Sequence, residues 1–295
     1  MLQKMIRDPA AFSGLMIILL VIIAAIFAPY LAPHSPEPVD LGLKLLAPGH
    51  DYPLGTDALG RCLYSRLLFG ARVTLQYSLS ILVVIMLIGI PLGLLSGYLG
   101  GIVDSFIMRV ADTILAFPNL ILALVLVGIL GPGLFNVMLA LALVSWVGYA
   151  RIVRGMVLSV REKEYIAAAR VCGTSTAALI RRHIVPNILP PLIVLATLDL
   201  GKLILAIATL SFLGLGAQPP VPEWGAMINE ARPYLQTVPR LMLAPGISIA
   251  VTVLGFNLLG DGLRDLLDPR GSGSDAHETK YLTWLMSNEG KVAKQ

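Results

Sequence analysis

Glu164-Tyr165-Ile166-Ala167-Ala168-Ala169-Arg170-Val171-Cys172-Gly173 is a polar, helix-favouring island between two apolar stretches, Phe135 to Val153 and Leu189 to Ser211. Alanine and straight-chain residues favour helix, and glycine is a common stop just past a helix end. The spacing predicts a short helix over about 163–175 that lies outside the apolar layer on either side. A small-residue helix of this kind can bury closely in another protein's groove while its Arg and Glu hydrogen-bond the rim. Lying flat on the surface is the plainer reading of the same residues.

Working outward, the apolar stretches recur. A membrane-crossing helix needs about 20 mostly apolar residues, because it rises 1.5 Å per residue across roughly 30 Å of hydrocarbon. Six segments qualify: Ala11 to Leu31, Val73 to Tyr98, Ser105 to Ile129, Phe135 to Val153, Leu189 to Ser211 and Leu241 to Leu263. The first could pass for a cleaved leader, since Lys4 and Arg7 precede it. Its 21 residues exceed the usual leader core, and Pro29 follows the best cleavage position, so it reads as an uncleaved span. The composition agrees: 56% of the 295 residues are hydrophobic and 14% charged, against about 25% charged in a soluble domain. A soluble enzyme is excluded on that balance, as is a disordered or nucleic-acid-binding chain. The expected fold is an all-α membrane protein with six transmembrane helices.

The 22 Lys and Arg residues set the orientation. With the N-terminus inside, fifteen fall on the inner side, seven of them between Arg151 and Arg182. Six fall outside: Lys44, Arg61, Arg66, Arg72, Arg232 and Arg240. Excess positive charge marks cytoplasmic loops, so both termini are expected in the cytoplasm. The net charge of +4 is then a topology signal and needs no nucleic acid. Residues 1–72 read as a span plus an ordered extracytoplasmic loop, 73–268 as the transmembrane domain, and 269–295 as a polar cytoplasmic tail.

Within the spans, Gly89, Gly93, Gly97 and Gly101 repeat every four residues and share a helix face. Such spacing lets two helices approach closely in lipid, either within the chain or against a partner subunit. Pro91 is expected to kink the same helix. Ionisable residues in spans are functional candidates: Asp199 and Lys202, at i and i+3, either pair or line a polar path, and Asp112 lies near the inner interface. Catalytic signatures are missing from the sequence. It has no phosphate-binding loop of the Gly-x-x-x-x-Gly-Lys-Ser/Thr type, no His-Glu-x-x-His, and no Gly-x-Ser-x-Gly. His34, His50, His183 and His277 are scattered, and no metal site or cofactor is expected on this chain. The residues favour a passage whose energy comes from a partner over an intramembrane enzyme. A secondary transporter would show inverted repeats, and no convincing repeat is visible.

The island and the residues up to Pro186 resemble the permease subunits of binding-protein-dependent ABC importers, in the branch serving dipeptides, oligopeptides and nickel. Their loop signature is Glu-Ala-Ala, three residues, Gly, nine residues, then Ile-x-Leu-Pro. This chain has Ala167-Ala168-Ala169, Gly173 at the right interval, and His183-Ile184-Val185-Pro186. It departs at Ala167, His183 and Val185, and Glu164 is taken to supply the acidic contact. Leu54-Gly55-Thr56-Asp57-Ala58-Leu59-Gly60-Arg61, Ser211-Phe212-Leu213-Gly214-Leu215-Gly216-Ala217-Gln218-Pro219-Pro220, Glu223-Trp224-Gly225-Ala226-Met227 and Gly260-Asp261-Gly262-Leu263-Arg264-Asp265 are similar to the same branch.

The resemblance implies the type I ABC importer permease fold. It also implies a sister permease, two ATP-binding subunits that carry ATP and Mg, and an extracytoplasmic substrate-binding protein, all at the inner membrane. ATPase coupling would fall to Glu164, Ala167, Ala168, Ala169, Arg170, Gly173 and Pro186, with Asp199, Lys202 and Asp112 as candidates for the path. Leu195 to Leu205 and Trp224 to Arg232 look more like nickel and metal-chelate permeases than dipeptide permeases. The expected solute is therefore a nickel or metal chelate, with di- or oligopeptide as the alternative.

Overall fold

The computed structural model describes residues 8–267, so the polar tail and the first basic residues lie outside the described region. Regular structure among the described residues is helical, apart from a single bridge between Thr56 and Cys62. Among the described residues five helices are long and apolar enough to cross a bilayer, and one sharply bent pair reaches that length and hydropathy only when its two halves are taken together, as a broken span or a re-entrant loop does.

Helix α1 (Pro9–Ile26) starts where Asp8 accepts a hydrogen bond from the Ala10 amide at 3.0 Å, with Pro9 in the first turn. Proline there gives up an N–H that has no helical partner anyway. The expected first span ends in two pieces, because the chain breaks at Phe27 before the short α2 (Ala28–Leu31), where Pro29 stands in the opening turn. An irregular but hydrogen-bonded loop follows to Cys62. The Thr56 hydroxyl donates to the Leu43 carbonyl and accepts from the Leu46 amide, which holds the loop in a fixed shape.

Helix α3 (Leu63–Leu99) is longer than its apolar stretch suggests. Its 37 residues reach about 55 Å at 1.5 Å each, well beyond the hydrocarbon. The segment from Leu63 to Arg72, expected as loop, is helical because Leu63, Leu68 and Ala71 are buried against neighbouring elements and the Arg66 charge is matched inside the protein. Pro91 sits inside this helix, which continues to Leu99.

The third expected span is not one rod. Helices α4 (Gly101–Leu115) and α5 (Asn119–Leu130) meet at 85°. The break falls at Ala116-Phe117-Pro118, since proline withholds a donor and disfavours the helical conformation of the residue before it. Helix α6 (Leu134–Arg161) continues eight residues past Val153. The inner loop then shrinks to α7 (Glu164–Val171), α8 (Thr176–Leu179), a π-helical turn (Ile180–Ile184) and the entry to α9 (Val185–Phe212). Pro186 lies in the first turn of α9. On the other side, α10 (Trp224–Ala231) precedes the last long helix, α11 (Arg240–Leu267).

Two large apolar cores form, with a smaller third. The larger joins α3, α5, α6 and α9 with Ile166, Leu179 and Ile184 from the segment between α6 and α9; the second joins α1, α3, α9, α10 and α11; the third joins α4 to α6 through Ile107, Ala111, Trp146, Val147 and Ala150. Gly89, Gly93 and Gly97 lie where a Cβ would come within 2.7, 2.6 and 2.8 Å of Tyr149, Ala150 and Val157 on α6, so the close approach is within the chain. Gly101 does not join them: it lies past the end of α3, with φ +58 and nothing within 4 Å of an added Cβ.

Candidate functional site

Three groups of residues carry the chemistry: at the end of the bundle that carries α7, called inner here from the expected orientation, in the middle, and at the opposite, outer end. At the inner end, α7 is favoured by its alanines, while Glu164 in its first turn and Arg170 in its last complement the helix dipole. Its end is a Schellman closure: the Thr174 amide donates to the Ala169 carbonyl at 3.1 Å and the Gly173 amide to the Arg170 carbonyl at 2.9 Å. Gly173 has φ +79, a conformation that costs a side-chain-bearing residue roughly 1–2 kcal/mol. An added Cβ there meets nothing within 4 Å, so the glycine is required by the backbone and not by space.

The two sides of α7 differ. Ile166 is fully buried in the larger core, while Glu164, Ala167, Ala168, Arg170 and Val171 are exposed, Val171 at 89%. Ala169 is half-buried. The mount is firm: an Arg161 guanidinium nitrogen donates to the Tyr98 carbonyl at 2.8 Å, closing the C-terminal end of α3 with a cation, and the Arg170 guanidinium lies 5.7 Å from the Tyr98 ring. Of the expected coupling residues, Glu164, Ala167 and Ala168 lie on the side of α7 away from Ile166; Arg170 is exposed but turns toward Tyr98, and Pro186 lies outside α7.

Beside this end, Arg154 on α6 holds Asp104 on α4 through two hydrogen bonds of 2.6 Å, and Ser96 donates to the same carboxylate. Asp112, expected near the inner interface, pairs with Arg151; their side chains are 61% and 50% exposed. They form a surface pair, the kind worth at most about 1 kcal/mol.

In the middle, Asp199 and Lys202 pair at 2.8 Å across one turn of α9. Lys202 is largely exposed while Asp199 is mostly covered. Both line a cavity of about 380 Å³ together with Asn119, Ser145 and Tyr149. Pairing and lining therefore occur together, and the cavity presents one charge of each sign beside amide and hydroxyl groups.

The outer end holds a cluster that sequence reading did not assemble. Arg61 bonds Asp57 at 2.6 Å and Glu230 at 2.5 Å; Arg66 bonds Glu230 at 3.0 Å and lies 3.5 Å from Asp57. Arg61 and Arg66 are 3% and 1% exposed, so each guanidinium depends on these carboxylates for its charge balance. The cluster ties the outer loop to α10, which Glu223 caps by accepting from the Gly225 and Ala226 amides at 3.0 and 2.9 Å. The Trp224 ring nitrogen donates to the Leu67 carbonyl at 3.1 Å.

Comparison with known proteins gives a consistent picture. Residues 89–272 match the family described as binding-protein-dependent transport system inner membrane component, and residues 1–48 match the N-terminal TM domain of oligopeptide transport permease C. A probable D,D-dipeptide transport system permease of Escherichia coli K12 is 46% identical, over 91% of this chain and 90% of its own length. The nickel transport system permease of the same strain is 43% identical, over 90% and 95%. A glutathione transport system permease of Pectobacterium atrosepticum is 42% identical, over 91% and 89%. Among solved structures, a chain of the MetNI methionine ABC transporter in an inward-facing conformation aligns with a TM-score of 0.54 at 20% identity, over 70% of this chain and 98% of that one.

Proposed function

The chain belongs to the family of inner-membrane components of binding-protein-dependent transport systems, and on that premise we propose how its residues divide the work of import. It is a transport subunit of the ABC importer class; ATP hydrolysis belongs to partner subunits, and a substrate-binding protein delivers the solute. The exposed face of α7 is the ATPase contact: Ala167 and Ala168 seat in a groove of the partner, and Glu164 and Arg170 bond its rim. ATP and Mg are held by two such partners, and a sister permease completes the path. Both termini face the cytoplasm, residues 1–72 form the N-terminal span and outer loop, residues 73–268 the transmembrane domain, and 269–295 a cytoplasmic tail.

The observation that carries this reading is the two-sidedness of α7. Ile166 anchors it in the larger core while the opposite surface is small and open, so a displacement of α7 is passed directly to α3, α6 and α9. A ligand shifts a two-state equilibrium only by its differential affinity for the two states. ATP-closed partners therefore drive the change by holding the α7 surfaces of the two permeases at a different separation.

For the solute, the cavity at Asp199 and Lys202 favours a compact molecule bearing both an ammonium and a carboxylate, as a short peptide does. Relatives named for dipeptide, nickel and glutathione transport all align at 42 to 46% identity. The nickel or metal-chelate reading stands second, supported by the likeness of Leu195 to Leu205 and Trp224 to Arg232 to such permeases. Uptake by cells carrying the full set of subunits tests the choice: labelled dipeptide competed out by other dipeptides and not by nickel chelates is expected. Competition by nickel chelates alone contradicts the peptide reading.

A further inference from the structure

We infer a binding site for one anionic phospholipid of the outer leaflet, in a slot between α1, α3, α9 and α11. The slot has a volume of about 500 Å³. Ile22 and Ile26 at the outer end of α1, Leu75 and Leu79 on α3, Leu200 on α9 and Phe256 on α11 form its apolar wall, with Arg72 and Gln76 at its α3 edge. The leaflet follows from the orientation proposed above, on which this inference rests.

Two observations point to this occupant. The first is dimension. Arg72 stands where the apolar run of α3 begins, and Leu79 lies two turns further in, about 10 Å along the helix. Leu200 and Phe256 belong to the middle thirds of α9 and α11. The slot thus runs from headgroup level toward the bilayer centre, which is one leaflet of roughly 15 Å and suits a single acyl chain.

The second is charge. Arg61 and Arg66, on the same outer end, are held by Asp57 and Glu230, and Arg240 donates to the Leu46 carbonyl at 2.6 Å. Arg72 is exposed and has no hydrogen bond or ion pair among the described residues. A lipid phosphate with a net negative headgroup would complete it, with the Gln76 amide as a second donor. A zwitterionic headgroup offers the phosphate together with its own cation and gains less.

The test uses the assembled transporter in nanodiscs made from equal amounts of phosphatidylglycerol and phosphatidylcholine. Lipids retained after detergent extraction are counted by native mass spectrometry. Phosphatidylglycerol is expected to be enriched about fivefold, the size set by one arginine beside an anionic headgroup. Arg72→Gln removes the enrichment but keeps a bound lipid, and Leu79→Trp, at an exposed position, fills the slot and lowers the number retained. Retained lipid that mirrors the bulk ratio in the wild type overturns the inference, as does a cross-link placing the sister subunit in the slot. ATP-dependent uptake by the same discs fused into vesicles reports on the transport reading separately, so the two can fail independently.

Discussion

Glu230 on α10 holds a carboxylate oxygen 3.0 Å from the guanidinium of Arg66 on α3, whose side chain is 1% exposed. The same oxygen is 2.5 Å from Arg61. Removing one partner of a buried pair leaves an uncompensated charge and costs about 3–5 kcal/mol. Glu230→Ala is therefore expected to lower the thermal unfolding temperature of the purified transporter by several degrees. Glu230→Gln keeps the shape and one acceptor, and should lose less. An unfolding temperature equal to wild type in Glu230→Ala would show that the cluster does not hold α10 to the outer loop.

Gly173 tests whether the end of α7 matters through its backbone. Asparagine tolerates the left-handed conformation better than other non-glycine residues, and branched residues do not. Gly173→Asn should retain most ATP-dependent uptake, whereas Gly173→Val should lose most of it with normal membrane levels. Equal uptake by the two variants would remove the Schellman closure from the account.

The glycine ladder makes a position-specific prediction. At Gly93 an added Cβ comes 2.6 Å from the Ala150 carbonyl and 2.7 Å from Val153, while at Gly128 it meets nothing within 4 Å. Gly93→Leu should overpack the contact of α3 with α6, at a cost of about 1–3 kcal/mol or more, and reduce folded protein several-fold by fluorescence-detected size exclusion. Gly128→Ala should be neutral in the same assay.

Asp199 and Lys202 are expected to behave as one unit. Either charge reversal alone, Asp199→Lys or Lys202→Asp, should lower the uptake rate, and the double reversal should recover part of it. If both singles transport at the wild-type rate, the pair has no place on the path.

Five of the six expected crossings, the short inner helix and the charge pair on α9 were legible because each rests on local pattern: apolar runs, helix formers ended by glycine, and an i,i+3 spacing. Hydropathy also hid things. It scores Ser105 to Ile129 as one span and is blind to the effect of Pro118 on Phe117, so the 85° bend was missed. It begins α3 at Val73, because Arg66 and Arg72 look like loop charges until Glu230 is brought to Arg66 from a distant segment. That cluster could have been suspected from Asp57 and Arg61 standing four residues apart in a shaped loop; its third and fourth members could not. Gly101 fitted the four-residue repeat, yet the backbone turns at Gly100 before reaching it.

The central claim is that α7 transmits the action of an ATPase to the bundle. Uptake into proteoliposomes carrying the complete transporter, with ATP inside the partner compartment, tests it most directly using Ala168→Arg, a substitution at an exposed position that leaves Ile166 and the core intact. The account predicts that the variant inserts at wild-type levels but loses nearly all ATP-dependent uptake and no longer co-purifies with the ATPase subunits. Wild-type uptake with the ATPases retained would contradict it.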